Sequence, residues 1–207
     1  MSKARLGILL SGRGSNMRAI VAGCERGEVP AEVVLVVSNR PTAPGLEWAR
    51  DHGLETAVLP HRDFPDRSAH DAAMVEALHA RGVEWVCLAG YMRLLSRTFL
   101  EAYPCRILNI HPSLLPAFPG LEAQRQALDH GVRVSGCTVH LVDADLDHGP
   151  IVVQRPVAVA PGDTVETLSE RILKQEHVAY PEALRLLLTS SWNLEGRKVV
   201  FTGSGGI

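Results

Sequence analysis

The sequence predicts an α/β protein with a doubly wound, mostly parallel central sheet and antiparallel strands toward its C-terminal part. Three observations carry this. Short apolar, β-branched runs alternate with segments of helical spacing from Leu6 to about His130. One of those runs, Val83 to Ala89, is almost continuously apolar, as a strand covered on both faces should be. After Gly131 the alternation stops, and Val132 to Val142 and Ile151 to Val159 follow one another with no helix between them, which points to antiparallel pairing.

At 207 residues a single domain is expected. The 46% apolar and 21% charged content is that of a soluble globular protein. A formal net charge of -2 argues against a broad electrostatic surface for nucleic acid, while leaving room for a phosphate held by backbone N–H groups. The four cysteines, Cys24, Cys87, Cys105 and Cys137, form no Cys-x-x-Cys pair. They read as buried, reduced thiols, which suggests a cytoplasmic compartment. The first apolar run is too short for a signal peptide, and no run reaches membrane-spanning length.

Taken in order, Leu6 to Leu10 is the first strand, followed by the turn Ser11-Gly12-Arg13-Gly14-Ser15-Asn16 and a helix carrying Met17, Ile20 and Val21. The turn lacks the third Gly and the ribose-binding acid of a dinucleotide fingerprint, and it lacks the Gly-Lys-Ser/Thr of a Walker loop. Either it holds an anion at the helix start, or it is an ordinary turn with Ser15 or Asn16 as the cap. Val33 to Val37 and Thr56 to Leu59 are further strands, with a helix over Pro44 to His52 between them. Arg67 to Arg81 is helical, with Ser68 and Asp71 resembling a capping box. After Val83 to Ala89 comes Gly90 to Leu95, read either as core packing by Met92 and Leu95 or as the wall of an apolar pocket.

The stretch Cys105 to Gly120 organises the chain. It begins as a strand, Arg106 to Ile110, and Asn109 and His111 are two positions apart, which puts both on one face of an extended chain. Pro112 then stops the strand. An amide donor and a proton-transferring imidazole therefore stand at a strand's carboxyl end, where open α/β sheets bind ligands. The alternative is a strand-end His bonded to backbone and an Asn that starts a turn. Gly120 to His130 suggests another helix.

The connection Asp143 to Pro150 holds three acids and a His. It fails as a calcium loop, because His148 and Gln154 stand where Gly and Glu are needed. A zinc site from His111, His140 and an Asp has no supporting spacing. Thr164 to about Ser190 is a long helix with Asp163 as its expected cap and Pro181 as a kink. Its apolar stripe of Val165, Leu168, Ile172, Ala179 and Ala183 is completed by Glu176, which reads as a structural ion pair or as an acceptor for ligand hydroxyls. Trp192 to Phe201 reads as a hairpin, and the Gly-rich end beyond it as frayed. Asp147 could orient His111 or hold a water against it. No Ser or Cys sits in a nucleophile elbow, so the substrate is expected to supply the nucleophile of an acyl transfer.

Five stretches now carry a resemblance: 11–16, Leu88-Ala89-Gly90-Tyr91-Met92-Arg93, 108–116, Leu146-Asp147-His148-Gly149-Pro150, and Gln175-Glu176-His177. In this order the chain resembles the folate-dependent glycinamide ribonucleotide formyltransferases from Leu6 to about Pro181. The resemblance implies a formyltransferase-like fold, with residues 1–104 as a phosphate-binding half and 105–207 as a catalytic and folate-binding half. It implies transfer of the formyl group of 10-formyltetrahydrofolate to the amine of glycinamide ribonucleotide. It also implies Asn109, His111 and Asp147 as the catalytic trio, Gly14, Ser15 and Asn16 at the phosphate, and Glu176 at the ribose. Arg67 would meet the folate's glutamate tail. Met92, Arg93, Leu94, Leu95, Asn109, Asp143, Ala144, Asp145, Leu146 and Asp147 would line the folate pocket. No metal, nucleic acid or membrane partner is implied, and the chain is expected as a monomer or homodimer.

His148 departs from the small residue many relatives carry. Formyltetrahydrofolate hydrolases share the trio but have a further N-terminal domain, for which a first strand at Leu6 leaves no room. Methionyl-tRNA formyltransferases need a further C-terminal domain and a basic face.

Overall fold

The computed structural model describes residues 3–202. The chain forms two compact units that divide between Asn109 and Ile110, inside the strand Ile107–His111.

In the first unit β1 (Ala4–Leu10), β2 (Ala31–Ser38), β3 (Thr56–Val58), β4 (Trp85–Leu88) and β5 (Ile107–His111) stand in the order β3-β2-β1-β4-β5, and all neighbours are parallel. The crossovers carry α1 (Ser15–Glu25), α2 (Pro44–Asp51), α3 (Arg67–His79) and α4 (Arg97–Ala102). Leu6, Ile8, Leu9 and Leu10 on β1 are wholly buried, as are Met17 and Ile20 on α1 and Leu78 on α3. Burying each such side chain contributes about 1.5–3 kcal/mol. The strand order reverses between β1 and β4, so the carboxyl ends of these two strands mark the switch point where such sheets bind ligands.

In the second unit β6 (Val134–Leu141) and β7 (Ile151–Ala158) pair antiparallel. The hairpin β8 (Ser191–Glu195) and β9 (Lys198–Thr202) joins them through a parallel bridge between Ile151 and Lys198, giving the order β6-β7-β9-β8. α5 (Ala123–Asp129) and α6 (Val165–Thr189) complete it. α6 packs on β6 and β7, with Leu168, Ile172, Tyr180 and Leu184 buried. Glu176 shares that buried face, as the stripe required. The helix runs through Pro181 without interruption.

The α/β class, the mostly parallel sheet and the C-terminal antiparallel strands are those expected. Local details differ for physical reasons. The cap of α3 is Asp66, which accepts from the Ala69 amide, and not Ser68. Asp71 is buried instead and accepts from the Ser96 amide at the start of α4, a helix the sequence did not announce. α5 starts only at Ala123, because Glu122 before it has a left-handed φ of 56°. α6 is capped by Thr164 in a capping box with Thr167, while Asp163 pairs with Arg171. Cys105 is exposed, not buried. It sits at φ 55° where the chain turns into β5, ahead of the first buried strand residue, Ile107. The Gly-rich end lies outside the described residues.

Candidate active site

The turn after β1 is tied to the neighbouring strand ends. The Ser11 amide donates to Gly90 O (3.1 Å). Ser11 Oγ donates to Asn39 Oδ1 (2.7 Å) and accepts from the Met92 amide (2.9 Å). Gly14 is the N-cap of α1 at φ 70°, in a left-handed conformation suited to glycine, and a Cβ there would lie 3.1 Å from Gly45 Cα. Ser15 and Asn16 open the helix and do not cap it; α1 has no side-chain cap. A helix start without a side-chain cap is compatible with the anion reading of this turn.

At the end of β4 the loop presents Met92 and Leu94 to solvent, 61% and 55% exposed, so Met92 is not core packing. Arg93 and Leu95 are half-buried, and Arg93 Nε is buried with no hydrogen-bond partner among the described residues. Asp71 fixes the loop's far end through the Ser96 amide. Behind Asp71, His70 is fully buried, with Nδ1 3.5 Å from Asp71 Oδ1 and Nε2 donating to Leu59 O at 2.9 Å. Arg67 is exposed on the first turn of the same helix.

Asn109, half-buried, and His111, buried, lie on one face of β5 by strand alternation. His111 Nε2 donates to Phe118 O (2.8 Å), and its Nδ1 lies 3.3 Å from Asp147 Oδ2. Each ring nitrogen thus faces an acceptor. A neutral imidazole has one N–H and satisfies one of them; the imidazolium satisfies both. Asp147 Oδ2 also accepts from the Gly120 amide (2.8 Å), and Oδ1 lies 3.9 Å from His140 Nε2. His140 Nδ1 donates to Leu141 O (2.9 Å). Burial pushes the His140 imidazole below its ordinary value, against the opposing pull of Leu141 O and Asp147, which favours the neutral ring.

The loop 143–150 brings Asp147 to this place at φ 49°, with Asp145 and Leu146 exposed before it. After it comes Gly149, where a Cβ would fall 1.8 Å from Leu141 O, so glycine alone fits. Beside Asp147 lies a cavity of about 390 Å³, lined by Leu115, Pro119, Leu146, Ile151 and Arg197 among others. Glu176 is buried on α6 in the same unit. Burial, and then the Glu176 charge, push the Cys137 thiol up to about 12, which keeps it an inert thiol. Among the described residues no group of three or more His, Cys, Asp and Glu is placed to hold a metal ion.

Sequence reasoning paired Asp147 with His111, and the structure joins them. It weighed His140 with His111 and an Asp only as zinc ligands, and it did not anticipate the Phe118 carbonyl and Gly120 amide, the Asp71–Ser96 tie, or Arg197 at the cavity. The Phe118 and Gly120 groups are backbone and leave no residue-type signal. The others depend on contacts between distant segments.

An uncapped helix start, an Asn and His on one strand face and a carboxylate on the imidazole suit a group-transfer enzyme, and the chain belongs to the formyl transferase family, whose model matches residues 4–184. The phosphoribosylglycinamide formyltransferase of Bacillus subtilis is 41% identical over 184 residues, which are 89% of this chain and 94% of that protein. The trifunctional purine biosynthetic protein adenosine-3 of Drosophila pseudoobscura pseudoobscura is 46% identical over 91% of this chain; the chain spans 14% of that protein's length. Among solved structures, glycinamide ribonucleotide transformylase 1 from Symbiobacterium toebii superposes with a TM-score of 0.95 at 54% identity, covering 98% of this chain and 95% of that one. Among the described residues no helix is long and apolar enough to cross a membrane.

Proposed function

We propose that this chain transfers the formyl group of 10-formyltetrahydrofolate to the amine of glycinamide ribonucleotide, in purine biosynthesis, as a cytoplasmic monomer or homodimer. The observation that carries the reading is the His111–Asp147 contact at 3.3 Å, on a strand that presents Asn109 two residues earlier on the same face. The names of its relatives point to the same reaction.

The folate-borne donor supplies a formyl group on nitrogen, and the ribonucleotide supplies the attacking amine. Attack places negative charge on the formyl oxygen. The Asn109 side-chain N–H donates to that oxygen, and His111 shares the charge as an imidazolium. Asp147 holds the His111 proton in place and accepts, through a water, the proton the amine must lose; collapse of the tetrahedral adduct breaks the bond between the formyl carbon and the folate nitrogen, and that proton passes to the nitrogen as tetrahydrofolate leaves. The uncapped start of α1 at Gly14, Ser15 and Asn16 holds the phosphate. Glu176 accepts from the ribose hydroxyls. The exposed apolar side chains of Met92, Leu94 and Leu146 suit a flat heteroaromatic ring, and the partnerless Arg93 Nε suits an acceptor on it. Leu95 and the backbone of Asp143, Ala144 and Asp145 complete that lining, and exposed Arg67 meets a carboxylate tail.

A formyl-transfer assay with the ribonucleotide supplied and then withheld tests the reading. Tetrahydrofolate release only when the ribonucleotide is present supports a transferase. Equal release without it would make the chain a hydrolase.

A further inference from the structure

The C-terminal hairpin lies beyond residues 4–184, the part matched by the family, yet it reaches the loop that carries Asp147. Lys198 opens β9 beside Ile151, the first residue after that loop. Arg197, on the hairpin turn, therefore stands at the loop's exit. Its Nη1 contacts His148 Nε2, and its Nη2 donates to His148 O. A guanidinium is a donor only, so a hydrogen bond between the two requires His148 Nε2 as acceptor and the ring proton on Nδ1. Nδ1 faces Asp143 Oδ2 at 3.1 Å and Asp145 Oδ2 at 3.8 Å. The ring and carbonyl of His148 are thus held from the hairpin on one side and from its own loop on the other.

His148 directly follows Asp147, whose φ of 49° lies in the left-handed region that Asp tolerates better than most non-glycine residues. It directly precedes Gly149, seated against Leu141 O. Two anchors therefore follow Asp147 in the chain, and Gly120 N and His111 meet its carboxylate. We propose that Arg197 is a positioning residue: by gripping the ring and carbonyl of His148, it fixes the backbone that presents Asp147 to His111. The kinetic consequence rests on the formyl-transfer reading; the structural one does not. Any substrate chemistry stays with Asp147 and His111, and Arg197 acts through His148.

The test compares the full-length chain with Arg197→Ala, Arg197→Lys and His148→Ala. In the wild-type chain, imidazole ¹⁵N shifts should show the Nδ1–H tautomer at His148, and Arg197→Ala should abolish that preference and speed amide exchange over 143–149. Arg197→Ala should lower kcat about tenfold or more, as small misplacements of a reacting group do, with KM and Tm unchanged. Arg197→Lys should fall between the two. The Arg197→Ala/His148→Ala double variant should lose less than the product of the single losses. Unchanged His148 signals and loop exchange in Arg197→Ala would overturn the proposal, as would a lowered Tm with kcat intact. If the wild-type chain transfers no formyl group, the tautomer and exchange results still decide the role of Arg197, and the functional reading alone falls.

Discussion

His111 Nδ1 lies 3.3 Å from Asp147 Oδ2, and the same oxygen accepts from the Gly120 amide at 2.8 Å. One carboxylate oxygen thus serves the end of β5 and the loop that follows it. Replacing Asp147 by Asn keeps the shape and removes the charge. The variant should bind both substrates yet transfer up to about 10⁴-fold more slowly, the loss seen when a carboxylate that orients a catalytic His is neutralised. Calorimetry with each ligand, beside single-turnover rates, measures both quantities. Loss of binding would instead make Asp147 structural.

The uncapped start of α1 gives a second expectation. Ser15→Asp puts a fixed negative charge where the phosphate is proposed to sit. Affinity for the ribonucleotide should fall by about tenfold or more, roughly the 1.4 kcal/mol that a tenfold change represents, while folate affinity holds. Titration calorimetry with the two ligands separately checks this, and equal weakening of both would contradict it.

Asp71 is buried and accepts from the Ser96 amide, which closes the loop holding Met92 to Leu95. Asp71→Ala leaves that amide without its acceptor, at a cost of about 1–3 kcal/mol in unfolding free energy. KM for the folate should rise more than KM for the ribonucleotide. Urea melts and steady-state kinetics test the two halves of the statement.

Acid stability follows from His140 and His177, both pushed below their ordinary value of 6.5 by burial. The unfolded chain takes up protons at these rings before the folded chain does. Their contribution is therefore complete above about pH 6.5 and is lost as pH falls toward the lower folded values. Urea midpoints should decline with acidification through that window. His177→Gln should flatten the decline; an unchanged slope would remove His177 from the account.

Much of the fold was legible because its strands are apolar on both faces. Leu6 to Leu10 and Val83 to Ala89 announce themselves without any partner, and the change of pattern after Gly131 marks where antiparallel pairing begins. Asn109 and His111 were legible because a strand's period fixes their common face and Pro112 fixes its end. Glu176 stood out as a carboxylate on an apolar stripe. Tertiary contacts left no such trace. α4 is a six-residue helix whose first amide is held by Asp71 from another segment, so no local periodicity reports it. The caps Asp66 and Thr164 were placed at nearby polar residues because several candidates stood side by side. Cys105 was expected among apolar neighbours, but its left-handed φ turns it outward before the strand begins. His140 and Arg197 reach Asp147 and His148 only through strand register and a hairpin, neither of which single-residue reasoning supplies.

The most direct measurement is a double-mutant cycle on single-turnover formyl transfer with His111→Ala, Asp147→Ala and the double variant. If His111 and Asp147 act as one unit, each single variant loses nearly the whole rate and the double loses little more. Additive losses, or wild-type rates in either single variant, would contradict the account.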